Sequence, residues 1–296
     1  METLLNIDKL IINNKDIIKD INIEIKNEEG LSYLKSISDN SVDLILTDPP
    51  YVISKSSGMN THYNNIKNNK NTKTEEQWGK YKKTLKKPEN ELQDNKGKGW
   101  SKENYLKYGC IMGKKYAVQT DYGKWDNEFT IESLEQFIEQ YYKKLKKGGT
   151  CIIWFDIWKI SYLKELMEKY KFKQIRFIEW IKNNPQPINS KINYLTNCRE
   201  IALLDIKSSK PTFNSKYDNA LYRFPMAAGK NKFHPTQKNL QLFEELIKKH
   251  SNENDIVLDT FLGGGTTAIA CKKLNRNFYG CEISDEYCKK VKDIFN

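Results

Sequence analysis

At 296 residues the chain is long enough to bury the core of one large α/β domain or two small ones without disulfide or metal staples. No apolar run approaches the roughly 20 residues that a bilayer span needs, so membrane functions are set aside. A formal net charge of +11 suits a polyanionic partner, because each phosphate contact by Lys or Arg releases counterions; the run from Asn64 to Asn71 is almost wholly Asn and Lys, which AT-rich coding also produces, so charge alone leaves a nucleic-acid partner and a merely solvated surface both open.

Short apolar runs alternate with amphipathic stretches along the chain, predicting strands over Ile21–Ile25, Asp43–Thr47, Thr150–Phe155, Phe172–Ile181, Glu200–Ile206, Asp255–Thr260 and Asn277–Glu282. Seven such strands fit one mostly parallel sheet covered by helices on both faces. A helix over Ile131–Lys146 carries Leu134, Phe137, Ile138, Tyr141 and Leu145 on one side and is stopped by Gly148-Gly149. Leu240–His250, Thr266–Leu274 and Ser284–Ile294 repeat the helical spacing. Two stretches break the rhythm: residues 52–127 are long, polar and punctuated by Gly97, Gly99, Gly113 and Gly123, and residues 182–233 carry Pro185, Pro187, Pro211 and Pro225 around one strand. Both read as insertions on a single domain spanning 1–296, placed to touch substrate.

The six cysteines, Cys110, Cys151, Cys198, Cys271, Cys281 and Cys288, show no C-x-x-C spacing, and only three histidines accompany them. With no signal peptide read at the start, the expectation is reduced thiols, no metal site and a cytoplasmic location.

Chemistry concentrates at two strand ends. The run Val42-Asp-Leu-Ile-Leu46 stops at Thr47-Asp48-Pro49-Pro50-Tyr51, delivering an acid, two prolines and an aromatic to a carboxyl end, where open α/β sheets bind ligands. Prolines make the turn rigid, so the Asp48 carboxylate and the Pro49 carbonyl point in fixed directions. Two convergent acceptors suit an amino group with two protons. An aromatic amine is a poor nucleophile because its lone pair is delocalised; accepting both N–H bonds draws the nitrogen toward tetrahedral geometry and stabilises the growing positive charge. Tyr51 would stack on a base, which must leave the duplex to be reached.

The second is Asp259-Thr-Phe261-Leu-Gly263-Gly264-Gly265-Thr-Thr267, strand then glycine turn then helix, followed by a strand ending at Glu282. Glycines let backbone approach a ligand closely, and an acid ending the next strand suits two ribose hydroxyls, so a nucleoside-containing cofactor is expected. No G-x-x-x-x-G-K-[S/T] occurs, which excludes a P-loop, and F-L-G-G-G is not the dinucleotide G-x-G-x-x-G.

Taken in order, Asp48-Pro-Pro-Tyr51, His234-Pro-Thr-Gln-Lys238 and Asp259-Thr-Phe-Leu-Gly-Gly-Gly265 resemble the amino-methyltransferases of restriction-modification systems, in the beta-type order with the catalytic motif before the cofactor motif. Ser41-Val-Asp-Leu44, Leu145-Lys-Lys-Gly-Gly149 and Trp180-Ile-Lys-Asn-Asn-Pro185 add to the match. The resemblance implies a circularly permuted, seven-stranded Rossmann-like fold in which the Ile21–Ile25 strand lies beside the last one. It implies S-adenosylmethionine as cofactor, held by Asp259, Phe261, Gly263, Gly265 and Glu282, with Thr236 and Lys238 at its methionine carboxylate and His234 structural. It implies that Asp48, Pro49, Pro50 and Tyr51 hold a flipped base, and that double-stranded DNA is the partner; a cognate restriction endonuclease and a homodimer are compatible further partners. Residues 52–127 would contact DNA and 182–233 would recognise the target. Asp at the first motif position favours adenine N6, with cytosine N4, RNA and a non-catalytic subunit of the same fold as alternatives. Cytosine C5 chemistry is disfavoured because no cysteine follows a proline. Where the family has Gly-Asp before the first helix this chain has Glu28-Glu29, which counts against a cofactor-adenine role for Glu29.

Overall fold

The computed structural model describes residues 21–51, 65–68, 70–92, 99–112, 129–185, 198–208, 210–228 and 232–296. The chain divides into two compact units, Met1–Val52 with Phe129–Asn296, and Ile53–Glu128.

The larger unit is built on one eight-stranded sheet. Its elements in chain order are β1 (Ile23–Lys26), α1 (Gly30–Ser36), β2 (Val42–Thr47), α4 (Ile131–Lys144), β3 (Leu145–Phe155), α5 (Ile160–Lys169), β4 (Lys173–Lys182), β5 (Arg199–Ile206), β6 (Leu221–Phe224), α6 (Leu240–His250), β7 (Ile256–Asp259), α7 (Thr266–Lys273), β8 (Asn277–Cys281) and α8 (Asp285–Phe295), while α2 (Glu75–Lys82) and α3 (Lys102–Tyr108) belong to the smaller unit. The spatial order is β1-β8-β7-β2-β3-β5-β4-β6. From β1 to β3 every pairing is parallel; β5 is antiparallel to both its neighbours, and β6 is parallel to β4. As expected, β1 lies beside β8, with Ile23 opposite Phe278 and Lys26 opposite Cys281.

The central strands are continuously apolar because both faces are covered. Leu44, Leu46, Ile152 and Trp154 point to one side with Phe243 and Leu246 of α6 and Ala270 and Cys271 of α7. Ile45, Ile153 and Phe155 point to the other with Leu134, Phe137 and Ile138 of α4 and Leu163 of α5. The period of two along each strand thus fills two separate cores. The helix after β7 packs on one face while α4, which follows β2 across the inserted unit, packs on the other, so the connections diverge between β2 and β7. A crevice at the carboxyl ends of these strands is the consequence.

Helix starts are set by side chains that satisfy free N–H groups: Thr130 caps α4 and Asn239 caps α6. Glu29 does the same for α1, its two carboxylate oxygens accepting from Leu31 and Ser32 N–H at 2.9 Å.

Three expectations change. The sheet has eight strands rather than seven, because β6 is only four residues long and becomes a strand by pairing with the edge of β4. The region 182–233 accordingly encloses two strands rather than one. The α4 helix ends at Lys144, and Leu145 already belongs to β3, pairing with Val42; Gly148-Gly149 therefore sit in an irregular strand entrance, not at a helix stop.

The stretch between β2 and α4 is not a plain loop. Among its described residues, α2 opens on a reciprocal capping box between Thr74 and Gln77 and α3 is capped by Ser101. Trp78, Leu92, Tyr105 and Ile111 form a small core of their own, with Tyr81 stacked on Tyr105 at 4.4 Å between centroids.

Candidate active site

Parallel strands β2, β7 and β8 end on the same edge of the sheet, which brings Asp48, the glycine turn and Glu282 to one crevice although they are far apart in sequence. A buried bond joins the first two. The Thr47 hydroxyl donates to Asp259 Oδ1 at 2.7 Å, the Thr267 hydroxyl donates to Oδ2 at 2.6 Å, and Phe261 N–H donates to Oδ1 at 3.1 Å. Burial pushes the Asp259 carboxyl up to about 6 despite these donors. Asp259 is thus a clasp between the end of β2 and the glycine turn.

In the turn, Gly263 and Gly265 have φ of +52° and +75°, the left-handed region that favours glycine. Gly263 N–H donates to Glu282 Oε2 at 2.8 Å, and Ser284 N–H donates to Oε1 at 2.8 Å. Each oxygen keeps a further lone pair, so Glu282 is an oriented acceptor pair fixed by backbone. Burial raises its pKa above the usual carboxylate value, against the N–H donors of Ser284 and Gly263. Phe261 packs on Phe137 at 4.7 Å and edge-on to Phe129 at 5.6 Å.

The segment 234–238 lies against this turn. A β-carbon on Gly263 would meet the His234 ring at 3.3 Å, and one on Gly264 would meet Gln237 at 2.8 Å. The His234 ring accepts or donates to Thr236 Oγ1 at 3.2 Å and stands edge-on to Tyr287. Burial, with Lys238 and Lys232 nearby, brings His234 down to about 4, so it is neutral at physiological pH.

Lys238 faces the Asp48–Tyr51 turn. Its ammonium is 2.9 Å from Asp48 Oδ2, 2.6 Å from Glu200 Oε2 and 3.3 Å from Tyr51 Oη, and it lies over the rings of Tyr51 and Trp154. Lys182 Nζ takes the other oxygen of Glu200 at 2.5 Å. The Tyr51 hydroxyl donates to Asp48 Oδ1 at 2.9 Å, and its ring rests edge-on against Phe155. Burial raises the Asp48 carboxyl above its usual range, with Lys238 pulling the other way. Burial also works against the Lys238 ammonium, but Asp48 and Glu200 reverse this and hold it well above the usual lysine value. Against the same desolvation, Lys238 and Lys182 bring Glu200 down to about 2.

The candidate residues gather in two groups: Asp48 and Tyr51 at the end of β2, and Phe261, Gly263, Gly265 and Glu282 around the glycine turn; Lys238, expected with Thr236 at the methionine carboxylate of a cofactor, instead pairs with Asp48 and Glu200, while Thr236 stays beside His234. Glu200 belongs to no motif in the sequence, and Lys182, Thr47 and Thr267, though inside motifs, carry no role that the sequence alone assigns. Only the cross-strand register, which sets Trp180 opposite Glu200, brings the Lys182–Glu200 pair to the site. Among the described residues no group of three His, Cys, Asp or Glu side chains could hold a metal ion, and no helix is long and apolar enough to cross a membrane.

The crevice suits S-adenosylmethionine: a tight glycine turn of positive φ follows the strand, an aromatic flanks it, and a backbone-fixed carboxylate can accept two ribose hydroxyls. Residues 42–293 match the family model described as DNA methylase of the N6/N4 methyltransferases. The type II methyltransferase M.HpaI of Haemophilus parainfluenzae is 31% identical over 209 residues, 62% of this chain and 66% of that protein. M2.MboI of Moraxella bovis, also a type II methyltransferase, is 27% identical over 291 residues, 92% of this chain and 87% of its own length. The crystal structure of the M1.HpyAVI–SAM complex has a TM-score of 0.58 at 27% identity, covering 92% of this chain and 98% of that one. The cytosine-N4-specific PvuII DNA methyltransferase shares the fold, with a TM-score of 0.59 at 16% identity over 93% of this chain and 92% of its own. Because the family match takes in both motifs and everything between them, the chain belongs to the N6/N4 DNA methylases, the S-adenosylmethionine-dependent amino-methyltransferases of DNA.

Proposed function

We propose that the protein methylates the N6 amino group of adenine in a base swung out of double-stranded DNA, at one short recurring sequence. The observation that carries this reading is the Asp48–Tyr51 turn at the end of β2, clasped through Thr47 and Asp259 to the glycine turn. Asp48 and the Pro49 carbonyl would accept hydrogen bonds from the two amino N–H groups, raising electron density on the nitrogen as it attacks and offsetting the positive charge that develops, and the methylated nitrogen then loses one proton to Asp48 or to solvent. Tyr51, kept protonated by burial and by Asp48, would present its ring to the base. When bound, the cofactor supplies a methyl group already activated by its sulfonium; the protein's part is alignment and exclusion of water, which supplies several kcal/mol of barrier reduction. Glu282 would accept the ribose hydroxyls, while Phe261, Gly263 and Gly265 would line the methionine part. Asp rather than Ser at position 48 supports adenine over cytosine N4, and the type II names of the relatives support a role beside a restriction endonuclease of the same specificity.

The test is expression in a bacterium that lacks its own DNA methyltransferases, followed by mapping of modified bases across the genome by single-molecule sequencing. N6-methyladenine at one recurring motif is the expected result. N4-methylcytosine would overturn the base assignment, and an unmodified genome would overturn double-stranded DNA as a sufficient substrate.

A further inference from the structure

Both oxygens of Asp48 are engaged in this structure, Oδ2 by the Lys238 ammonium at 2.9 Å and Oδ1 by the Tyr51 hydroxyl at 2.9 Å. If Asp48 is to accept an amino proton, as the adenine reading requires, a full positive charge against the same carboxylate works against it: it competes for the lone pairs and repels the charge that grows on the nitrogen. Lys238 cannot simply swing into solvent, because its side chain is only 7% exposed, and a buried unpaired ammonium is expensive. It needs a second anion within reach. Glu200 Oε2 is that anion, already at 2.6 Å.

We infer that Glu200 is a positioning residue of the methyl-transfer site, the counter-anion to which Lys238 withdraws so that Asp48 is released to the target amine. Lys182, at the end of β4, binds Glu200 Oε1 at 2.5 Å, leaving Oε2 turned to Lys238. Lys182, Glu200, Lys238 and Asp48 alternate in sign and sum to zero, so shifting one ammonium by a fraction of an ångström between two carboxylates changes no net buried charge. Glu200 stays ionised throughout, since its two lysines outweigh the burial that opposes them. The other titratable groups facing Asp48 are Tyr51 on its own turn and Asp259 at the end of β7, with His234 next to Lys238 on the far side. Among these groups, Glu200 is the anion that directly pairs with Lys238 besides Asp48.

The experiment is a double-mutant cycle in the full chain between Glu200→Gln and Lys238→Met, using a duplex that carries the sequence found in the genome mapping. Gln keeps the shape and a carbonyl acceptor but not the charge. With Glu200→Gln, Lys238 has one anion left and clamps Asp48; kcat should fall about 10²-fold, the usual penalty for a misplaced reacting group, while KM for cofactor and for DNA stays within about threefold. The acid limb of the kcat profile should move to lower pH, because Asp48 loses a neighbouring negative charge and keeps a positive one. Glu200→Asp should recover part of the loss. In the Lys238→Met background Glu200→Gln should cost nothing further, since Glu200 acts through Lys238.

Equal losses from Glu200→Gln with and without Lys238, or a loss confined to KM, would overturn the inference. The Asp48 carboxyl, followed by carbon NMR in the protein alone, gives a readout that needs no turnover: its pKa should drop in Glu200→Gln, and drop by clearly less when Lys238 is already Met, where only the direct repulsion between Glu200 and Asp48 is lost; equal drops in the two backgrounds would show that Lys238 does not couple them. An inactive wild-type enzyme would sink the adenine reading, and this titration would still decide whether Glu200 and Lys238 control Asp48.

Discussion

Asp48 and Gly265 show two ways in which one position carries the site. In the proposed reaction the Asp48 carboxylate acts on the amine and is remote in role from the Glu282 acceptor pair, so Asp48→Ala should lower kcat by at least about 10²–10³-fold, the range for losing one preorganised partner of the developing charge, while cofactor affinity changes little. Calorimetric titration of cofactor beside single-turnover methyl transfer separates the two effects; near-wild-type turnover would remove Asp48 from the mechanism. Gly265 is a matter of space and backbone. Its φ is +75°, and a β-carbon there would lie 2.7 Å from Val291 Cγ1 of α8. Gly265→Ala should therefore cost about 1–3 kcal/mol through strain and overpacking, lowering Tm and weakening cofactor binding together. Asp48 and Gly265 were both legible from sequence because a strand ending in a rigid or glycine-rich turn announces its own geometry. The clasp role of Asp259 was not, since it depends on hydroxyls of Thr47 and Thr267 that reach it only after β2 and β7 have paired.

At the scale of elements, periodicity located the strands and helices of the sheet within a few residues wherever one stretch decides its own burial. Leu240–His250 is a helix with the expected limits, because an Asn cap and a regular apolar stripe are both local. It failed for β6, whose four residues become a strand only through the edge of β4, and at Leu145, where pairing with Val42 draws the residue out of the helix. Strand β5 hides another feature no local pattern reveals. Asp205, fully buried, sits opposite Cys151 of β3, and neither of its oxygens has a hydrogen-bond partner among the described residues. Burial, with Glu168 of α5 adding to it and Lys164 and Arg176 opposing, pushes its carboxyl up to about 8. A group whose folded pKa is raised is protonated in the folded chain while the unfolded chain has released its proton; stability is then lost as pH climbs from about 4 toward 8. Replacing Asp205 with Leu, close in shape and without the polar atoms, should stabilise the protein by about 1–3 kcal/mol at pH 8. The difference from wild type should shrink steadily toward pH 5. Urea unfolding at several pH values measures this, and a pH-independent difference would show that Asp205 is not held neutral.

For the whole molecule, the sheet topology makes one crevice from motifs that are more than two hundred residues apart, as the Thr47–Asp259 bond shows with a separation of 212. The order of motifs alone pointed to that fold, but composition could not say where the excess charge of +11 acts. The smaller unit offers a place to look. Lys82, Lys83, Lys86 and Lys87 are all exposed at the end of α2, and no ion pair among the described residues involves them. A DNA-binding unit would use such a run against phosphates, and each phosphate contact contributes about 0.9 to the slope of log K against log salt. Changing all four to Gln should therefore flatten that slope by up to about 3–4 while leaving the protein folded, since exposed lysines contribute little to stability. The loss should be equal for cognate and unrelated duplexes, because phosphate contacts position a protein without reading sequence. Fluorescence anisotropy on both duplexes from low to moderate salt makes the comparison. An unchanged slope would place the DNA-facing charge elsewhere on the chain, whereas a loss confined to the cognate duplex would mean that these lysines read bases instead of phosphates.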